Sequence, residues 1–197
     1  MKNILFTLAL LISFNSFGQT AEEYFQSAYD KHNNGDYYGA IADLTKALEL
    51  DPNDAVLYHN MAISKRELGD HNGAIADLTK AIELNPNYSS AYNNRGFSKN
   101  ILKDYYGAIA DFIRAIELNP NYTDAYYNKG LAKHNLEDYS GAITDYNKAI
   151  ELNTSLAVAY HNRAICKALS DIDGCADARK AKELGYDSDK LIRIVCN

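Results

Sequence analysis

The 197-residue chain has no tryptophan, only three prolines and only three cysteines. No stretch alternates polar and apolar residues with the period of a strand, and no low-complexity linker divides the chain, so neither a sheet nor a pair of tethered domains is expected. Basic residues are not in excess. The formal net charge is −6, and the lysines and arginines form no cluster, which makes the chain a poor binder of nucleic acid or anionic lipid. Zinc-protease motifs, phosphate loops, Gly-x-Ser-x-Gly elbows and dinucleotide fingerprints are all missing. The paired Gly-Ala residues recur with a long period and read as packing residues rather than a phosphate cradle. The carboxylates recur in the same way, which argues against a catalytic pair. No catalytic residue and no cofactor is assigned.

What the sequence does contain is repetition. Asp51-Pro52, Asn85-Pro86 and Asn119-Pro120 fall 34 residues apart, and Asn153-Thr154 keeps the interval without its proline. Between them run near-copies of one segment: Gly39 to Leu50, Gly73 to Leu84, Gly107 to Leu118 and Gly141 to Leu152. Counting units from residues 21, 55, 89, 123 and 157, the fourth position is Tyr24, Tyr58, Tyr92, Tyr126 and Tyr160. The eighth is always small: Ala28, Ala62, Gly96, Gly130 and Ala164. The twentieth and twenty-seventh positions are alanines, from Ala40 and Ala47 through Ala142 and Ala149. Small residues at this spacing let two antiparallel helices approach closely, while the tyrosines and the Leu, Phe or Tyr at position 24 fill the space beside them. A period of this length marks a solenoid of helix pairs.

These residues resemble the tetratricopeptide repeat (TPR) family over residues 21 to about 184. The family commonly has tryptophan where this chain has its fourth-position tyrosines. The resemblance implies an all-α, right-handed superhelical solenoid of five TPR helix pairs plus a C-terminal capping helix. The units are 21–54, 55–88, 89–122, 123–156 and a shortened 157–186, with the cap over 187–197.

Local signals agree with the period. Thr20 and Glu23 read as a capping box, and Asp36, Asp70, Asp104 and Asp138 as caps of the second helices. Gly35 and Gly69 end first helices. Lys103 and Glu137 replace that glycine at an expected small cost. The predicted helices span 21–34, 37–50, 55–68, 71–84, 89–102, 105–118, 123–136, 139–152, 157–169 and 174–184. A further apolar-patterned stretch, 188–195, would cover the exposed face of the last unit.

Residues 1–18 combine Lys2, an apolar run of leader length and the Ser16-Phe17-Gly18 boundary. They read as a signal peptide cleaved before Gln19, too short for a comfortable membrane span, with an uncleaved anchor as the alternative. The expected location is therefore outside the cytoplasm, periplasmic or secreted, with no membrane span after cleavage. In such a compartment three cysteines suggest one disulfide and one thiol. Cys175 and Cys196 are equidistant from the turn at Gly185-Tyr186 and are the expected pair, worth about 3 kcal/mol on the chain-entropy model. Cys166 matches small packing residues of other units and is the expected buried thiol.

Charge is periodic too. Lys31, Lys65, Lys99, Lys133 and Lys167 share one position of the unit, and Asp43, Asp77, Asp111, Asp145 and Asp177 share another. Arg95, Lys129 and Arg163 add a cation at position 7. A ladder of ion pairs is expected, with a charged ligand site as the alternative.

In the TPR family the inner face of the first helices holds an extended peptide or a partner helix. The resemblance places His59, Asn93, Phe97, Tyr127 and Leu131 on that face. Asn60, Asn94, Asn128 and Asn162 recur at position 6, where an amide can donate to and accept from a ligand backbone. The competing role for these asparagines is to satisfy polar groups inside the solenoid. The carboxylate clamp of chaperone-binding TPR domains needs lysines at positions 5 and 2. Here those positions hold Phe25, His59, Asn93, Tyr127 and His161, and Glu22, Val56, Ser90, Asp124 and Val158, so no such clamp can be built. His32 and His134, like His59 and His161, are separated by three whole units and read as groove residues rather than metal ligands. The expected function is a non-enzymatic scaffold that binds a protein or extended peptide in its concave groove. The alternatives are an assembly solenoid of the cell envelope and, less favoured, a metal-binding accessory protein.

Overall fold

The computed structural model describes residues 19–196. The leader assigned to residues 1–18 lies outside the described residues. Among these residues there are eleven helices and no strand: α1 (Ala21–Asn33), α2 (Tyr37–Leu50), α3 (Ala55–Glu67), α4 (His71–Leu84), α5 (Ser89–Ile101), α6 (Tyr105–Leu118), α7 (Thr123–Asn135), α8 (Tyr139–Leu152), α9 (Ala157–Leu169), α10 (Cys175–Glu183) and α11 (Asp189–Val195). Each helix packs on its chain neighbours, and first helices also meet across units, α3 on α5, α5 on α7 and α7 on α9. Odd-numbered helices thus form one continuous layer of the solenoid and even-numbered helices the other. No helix among the described residues is long and apolar enough to cross a membrane.

Six of the eleven helices, α1 to α4, α6 and α8, start at a side-chain cap. Thr20 and Glu23 form the reciprocal capping box of α1. Asp36, Asp70, Asp104 and Asp138 accept the backbone N–H of Gly39, Gly73, Gly107 and Gly141 at 2.9, 2.9, 3.0 and 2.9 Å. A Cβ on any of those glycines would run into the capping carboxylate, so the recurring glycine serves the cap. This corrects its assignment as a packing residue. The links between units are Asx turns: Asp51, Asn85, Asn119 and Asn153 each accept the N–H two residues on. The fourth link therefore keeps its shape without proline.

Between first and second helices the chain passes through a left-handed residue. Gly35 and Gly69 take it at φ 79°, but Lys103 and Glu137 sit at φ 65° and 64°. A side chain there costs about 1–2 kcal/mol relative to right-handed backbone, more than the small cost expected.

The core is built largely from alanines, with one large, fully buried residue between the paired helices of each of the first four units. Ala28, Ala40, Ala47 and their equivalents are buried at the helix crossings, and Leu44, Leu78, Phe112 and Tyr146 fill the space between paired helices. Volume is exchanged across that crossing. Where position 24 is leucine, position 8 is Ala28 or Ala62. Where it is aromatic, position 8 is glycine. A Cβ on Gly96 would lie 2.8 Å from Phe112 Cε1, and one on Gly130 2.8 Å from Tyr146 Cε1.

The charge ladder runs inside the units. Lys31 meets Asp43 at 2.6 Å, Lys65 meets Asp77 at 2.6 Å, and Lys99 and Arg95 both meet Asp111 at 2.7 Å. Lys129 and Lys133 hold Asp145 at 3.0 and 2.9 Å, and Arg163 and Lys167 hold Asp177. All five aspartates are buried, so each cation compensates a desolvated charge rather than decorating a surface. Burial pushes the Asp43 carboxyl up, but hydrogen bonds from Lys31 and Ser27 outweigh it and leave the group below the ordinary carboxylate value. For Asp77 burial wins over the Lys65 hydrogen bond and charge, and with the Asp70 charge adding to it the carboxyl is raised. Its unit carries Met61 where the first has Ser27 and units three to five have a second cation.

Cys175 and Cys196 are joined, with Cα atoms 4.9 Å apart, and Cys166 is a buried free thiol. Burial pushes the Cys166 thiol up to about 11.

Candidate functional site

The first-helix layer carries the candidate groove, and its polar residues are committed to one another. Asn94 Nδ2 donates to His59 Nε2 at 2.9 Å, while Asn94 Oδ1 accepts from Arg66 at 3.1 Å. Arginine can only donate, which fixes the amide orientation and makes Nε2 the acceptor nitrogen of His59. The ring proton then sits on Nδ1, 3.2 Å from the Tyr88 hydroxyl. One unit further on, Asn128 Nδ2 donates to Asn93 Oδ1 at 3.1 Å, and Asn162 Nδ2 donates to the Tyr127 hydroxyl at 3.0 Å. All three pairs span 35 residues, so position 6 of one unit bonds position 5 of the unit before. Asn60 is the exception. Position 5 of the first unit is Phe25, which offers no polar atom, and Asn60 instead donates to the Val56 carbonyl in its own helix at 2.8 Å.

Of the two roles open to the position 6 amides, bonding between units is seen for Asn94, Asn128 and Asn162. Asn93, Asn128 and His59 are only 5%, 9% and 8% exposed. They act as links between units, and the competing structural role accounts for the ladder. Burial, with the nearby Arg66 charge, lowers His59 to about 4. Burial also lowers His134, and lowers His161 against the opposing pull of Asp187.

Three of the other four histidines are links of the same kind, and His71, at the start of α4, is not. His32 Nδ1 lies 3.0 Å from Ser64 Oγ, His134 Nδ1 3.2 Å from Cys166 Sγ, and His161 Nδ1 2.8 Å from Ser188 Oγ. Among the described residues no three of histidine, cysteine, aspartate and glutamate are grouped so as to hold a metal ion.

Five of the expected groove residues do converge. Asn93, Asn94, Phe97, Tyr127 and Asn128 line one hollow of about 390 Å³, together with Arg66, Asp124, Leu156 and Val158. Asn60 lines a separate hollow of about 210 Å³ with Phe25, Tyr29, His32 and Ile63. His59, Asn162 and Leu131 line neither, although His59 and Asn162 are bonded to residues of the central hollow. Residue-by-residue reading missed Arg66. Its guanidinium lies 5.2 Å from the centre of the Phe97 ring and also donates to Glu67 at 3.2 Å. The available signal was a departure from the repeat: position 12 is His32, Arg66, Asn100, His134 and Ala168, and only one of these is a permanent cation.

Family models for the tetratricopeptide repeat match residues 21–54, 44–76, 89–122 and 123–156, and one for the TPR repeat matches 64–99. No curated protein matches the chain. Among solved structures, the MamA protein is 28% identical with a TM-score of 0.75, over 83% of this chain and 91% of that one. YrrB, described as a TPR protein with an unusual peptide-binding site, is 22% identical with a TM-score of 0.71, over 88% of this chain and 90% of its own, a likeness of fold alone. The first TPR of Spaghetti (RPAP3), bound to the HSP90 peptide SRMEEVD, is 29% identical with a TM-score of 0.58, over 59% of this chain and 92% of its own.

Proposed function

The chain belongs to the tetratricopeptide repeat family, and from that premise we propose that it is a protein–protein interaction scaffold whose groove takes an extended polypeptide at the hollow between α3, α5 and α7. The observation that carries this reading is the convergence of Phe97, Tyr127, Asn94 and Arg66 on one open, mixed apolar and polar concavity. Aromatic anchors with an adjacent arginine are the groups that dominate recognition energetics. Asn94 spends one N–H and one lone pair on the ladder and keeps the others for a ligand backbone. The reading is non-enzymatic, because the recurring aspartates are committed to lysines and arginines of their own units. An acidic chaperone tail of the kind held by the RPAP3 domain is not the proposed ligand, since the lysines of that clamp are absent. We place the protein outside the cytoplasm, which the leader-like residues 1–18 and the Cys175–Cys196 pairing support.

A second reading, assembly through the second-helix layer, draws on Tyr38 and Tyr106, which are 76% and 77% exposed at the starts of α2 and α6. Photo-crosslinking residues placed at Phe97 and at Tyr38 separate the two. Partner adducts confined to position 97, and weakened by Arg66→Ala, support the groove. Adducts confined to position 38 replace it with the assembly reading. Intact mass of the natively expressed protein tests export, and retention of residues 1–18 overturns it.

A further inference from the structure

The C-terminal helix closes the solenoid, but its own packing is thin. α11 has seven residues and none of its side chains is buried. A helix that short has little stability of its own, since isolated helices below about 12–15 residues are marginal in water. It stands where the first helix of a sixth unit would stand. The Tyr186 ring lies 4.7 Å from His161, as Tyr88 lies 4.8 Å from His59, and Ser188 bonds His161. The buried apolar residues that seat the first helices of units two to five, Leu57, Ala91, Ala125 and Ala159 at position 3, have no buried counterpart in α11. Leu191 and Ile194 line an open hollow of about 360 Å³ with Ile165 and Leu169, and Ile194 is 65% exposed. The Lys182–Asp189 ion pair is exposed on both sides and holds little. The far end of α11 is fixed covalently, by Cys196 to Cys175 at the start of α10.

We propose that the Cys175–Cys196 disulfide is a redox latch that keeps α11 docked as a stand-in sixth unit, and that its reduction releases α11 and uncovers the apolar face of α9. Both cysteines are partly exposed and open to an external thiol. The reductant is a dithiol. Its thiolate attacks one of the two sulfurs, breaking the Cys175–Cys196 bond and forming a mixed disulfide. The second thiol of the reductant then displaces that sulfur, so the chain gains two electrons and two protons and the reductant leaves as a cyclic disulfide. Cys166 takes no part, being buried beside His134 with its thiol kept protonated. The latch is independent of what the central hollow binds.

Amide hydrogen exchange of the purified chain, oxidised and after dithiothreitol treatment, tests the latch, with Cys175→Ser plus Cys196→Ser in parallel. Protection over 187–196 should fall at least tenfold in both the reduced and the serine forms and return on reoxidation of the wild type, with α1–α8 unchanged. Exchange over 187–196 that stays within twofold of the oxidised form would show that packing alone docks the helix and overturn the proposal. Loss of protection throughout α1–α8 would overturn it in the other direction, making the disulfide a staple of the whole solenoid.

Discussion

The exchange of volume between positions 8 and 24 can be tested by converting the third unit into a copy of the first two. In Gly96→Ala the new Cβ would stand 2.8 Å from Phe112 Cε1, 3.0 Å from Cδ1 and 3.1 Å from the Ala108 carbonyl oxygen. The ring is fully buried and cannot swing away, so overpacking should cost about 1–3 kcal/mol, against a helix-propensity gain of about 1 kcal/mol. The expected net loss is about 1 kcal/mol. Phe112→Leu alone leaves a gap beside Gly96 and should lose about 1–2 kcal/mol, less than the 3–5 typical of truncation to alanine. The double variant recreates the Ala28–Leu44 and Ala62–Leu78 pairs, which the same solenoid already tolerates opposite Ala40 and Ala74. It should therefore return to within about 0.5 kcal/mol of wild type, a coupling of about 2–3 kcal/mol. Urea denaturation followed by far-UV circular dichroism measures all four corners of the cycle. Single effects that simply add, to within about 0.5 kcal/mol, would refute steric exchange and leave the glycines without a packing reason.

The other perturbations read the polar ladders and the backbone. Lys65→Ala removes the one cation bonded to buried Asp77 and should cost about 3 kcal/mol, whereas Lys99→Ala leaves Arg95 on Asp111 and should cost about 1 kcal/mol; equal losses in urea would refute the compensation argument. Asn94→Ala plus Asn128→Ala strands His59 and Asn93 and should cost about 1–3 kcal/mol per site, so an unchanged melting temperature would return these amides to the ligand. Lys103→Gly and Glu137→Gly should each stabilise by about 0.5–1 kcal/mol, the relief of left-handed backbone less the added chain entropy of glycine, and a loss of stability would contradict the backbone reading. His59 falls to about 4 on folding from an ordinary 6.5, so the unfolded chain binds the extra proton first. Stability is then full above about pH 6.5 and drains as pH falls toward 4, by about 3 kcal/mol from this group; His59→Asn, which copies Asn93, should flatten that slope.

The period made most of the architecture readable before any coordinates. Repeated small residues, capping aspartates and Asn-Pro links each restate one local rule, and helix ends fall within one residue of where those rules put them. The cysteine pair was legible for a related reason, because a hairpin places positions equidistant from its turn side by side. The direction of the position 6 amides was not. That position lies at the edge between the groove and the preceding unit, and a helical wheel cannot say which neighbour claims it. The deciding partner sits 35 residues back, one more than the period, so aligning units on 34 hides the pairing. It becomes visible only by reading position 5 beside the next unit's position 6: His59 with Asn94, Asn93 with Asn128 and Tyr127 with Asn162 can bond, and Phe25 with Asn60 cannot.

That ladder also narrows where selectivity can reside. An asparagine repeated from the second unit to the fifth presents nearly the same edge along that part of the groove, and a uniform edge cannot distinguish one register of an extended chain from the next. Discrimination has to come from positions that break the repeat. Position 9 varies in apolar shape, through Tyr29, Ile63, Phe97, Leu131 and Ile165, and position 5 in polarity as well, through Phe25, His59, Asn93, Tyr127 and His161. Position 12 varies in charge, and there Arg66 alone brings a fixed cation, oriented by Asn94 and Glu67 and laid over Phe97. A chain lying in the central hollow would therefore be registered by what it places against Arg66 and between Phe97 and Tyr127, while the asparagines hold the units at the spacing that makes the hollow.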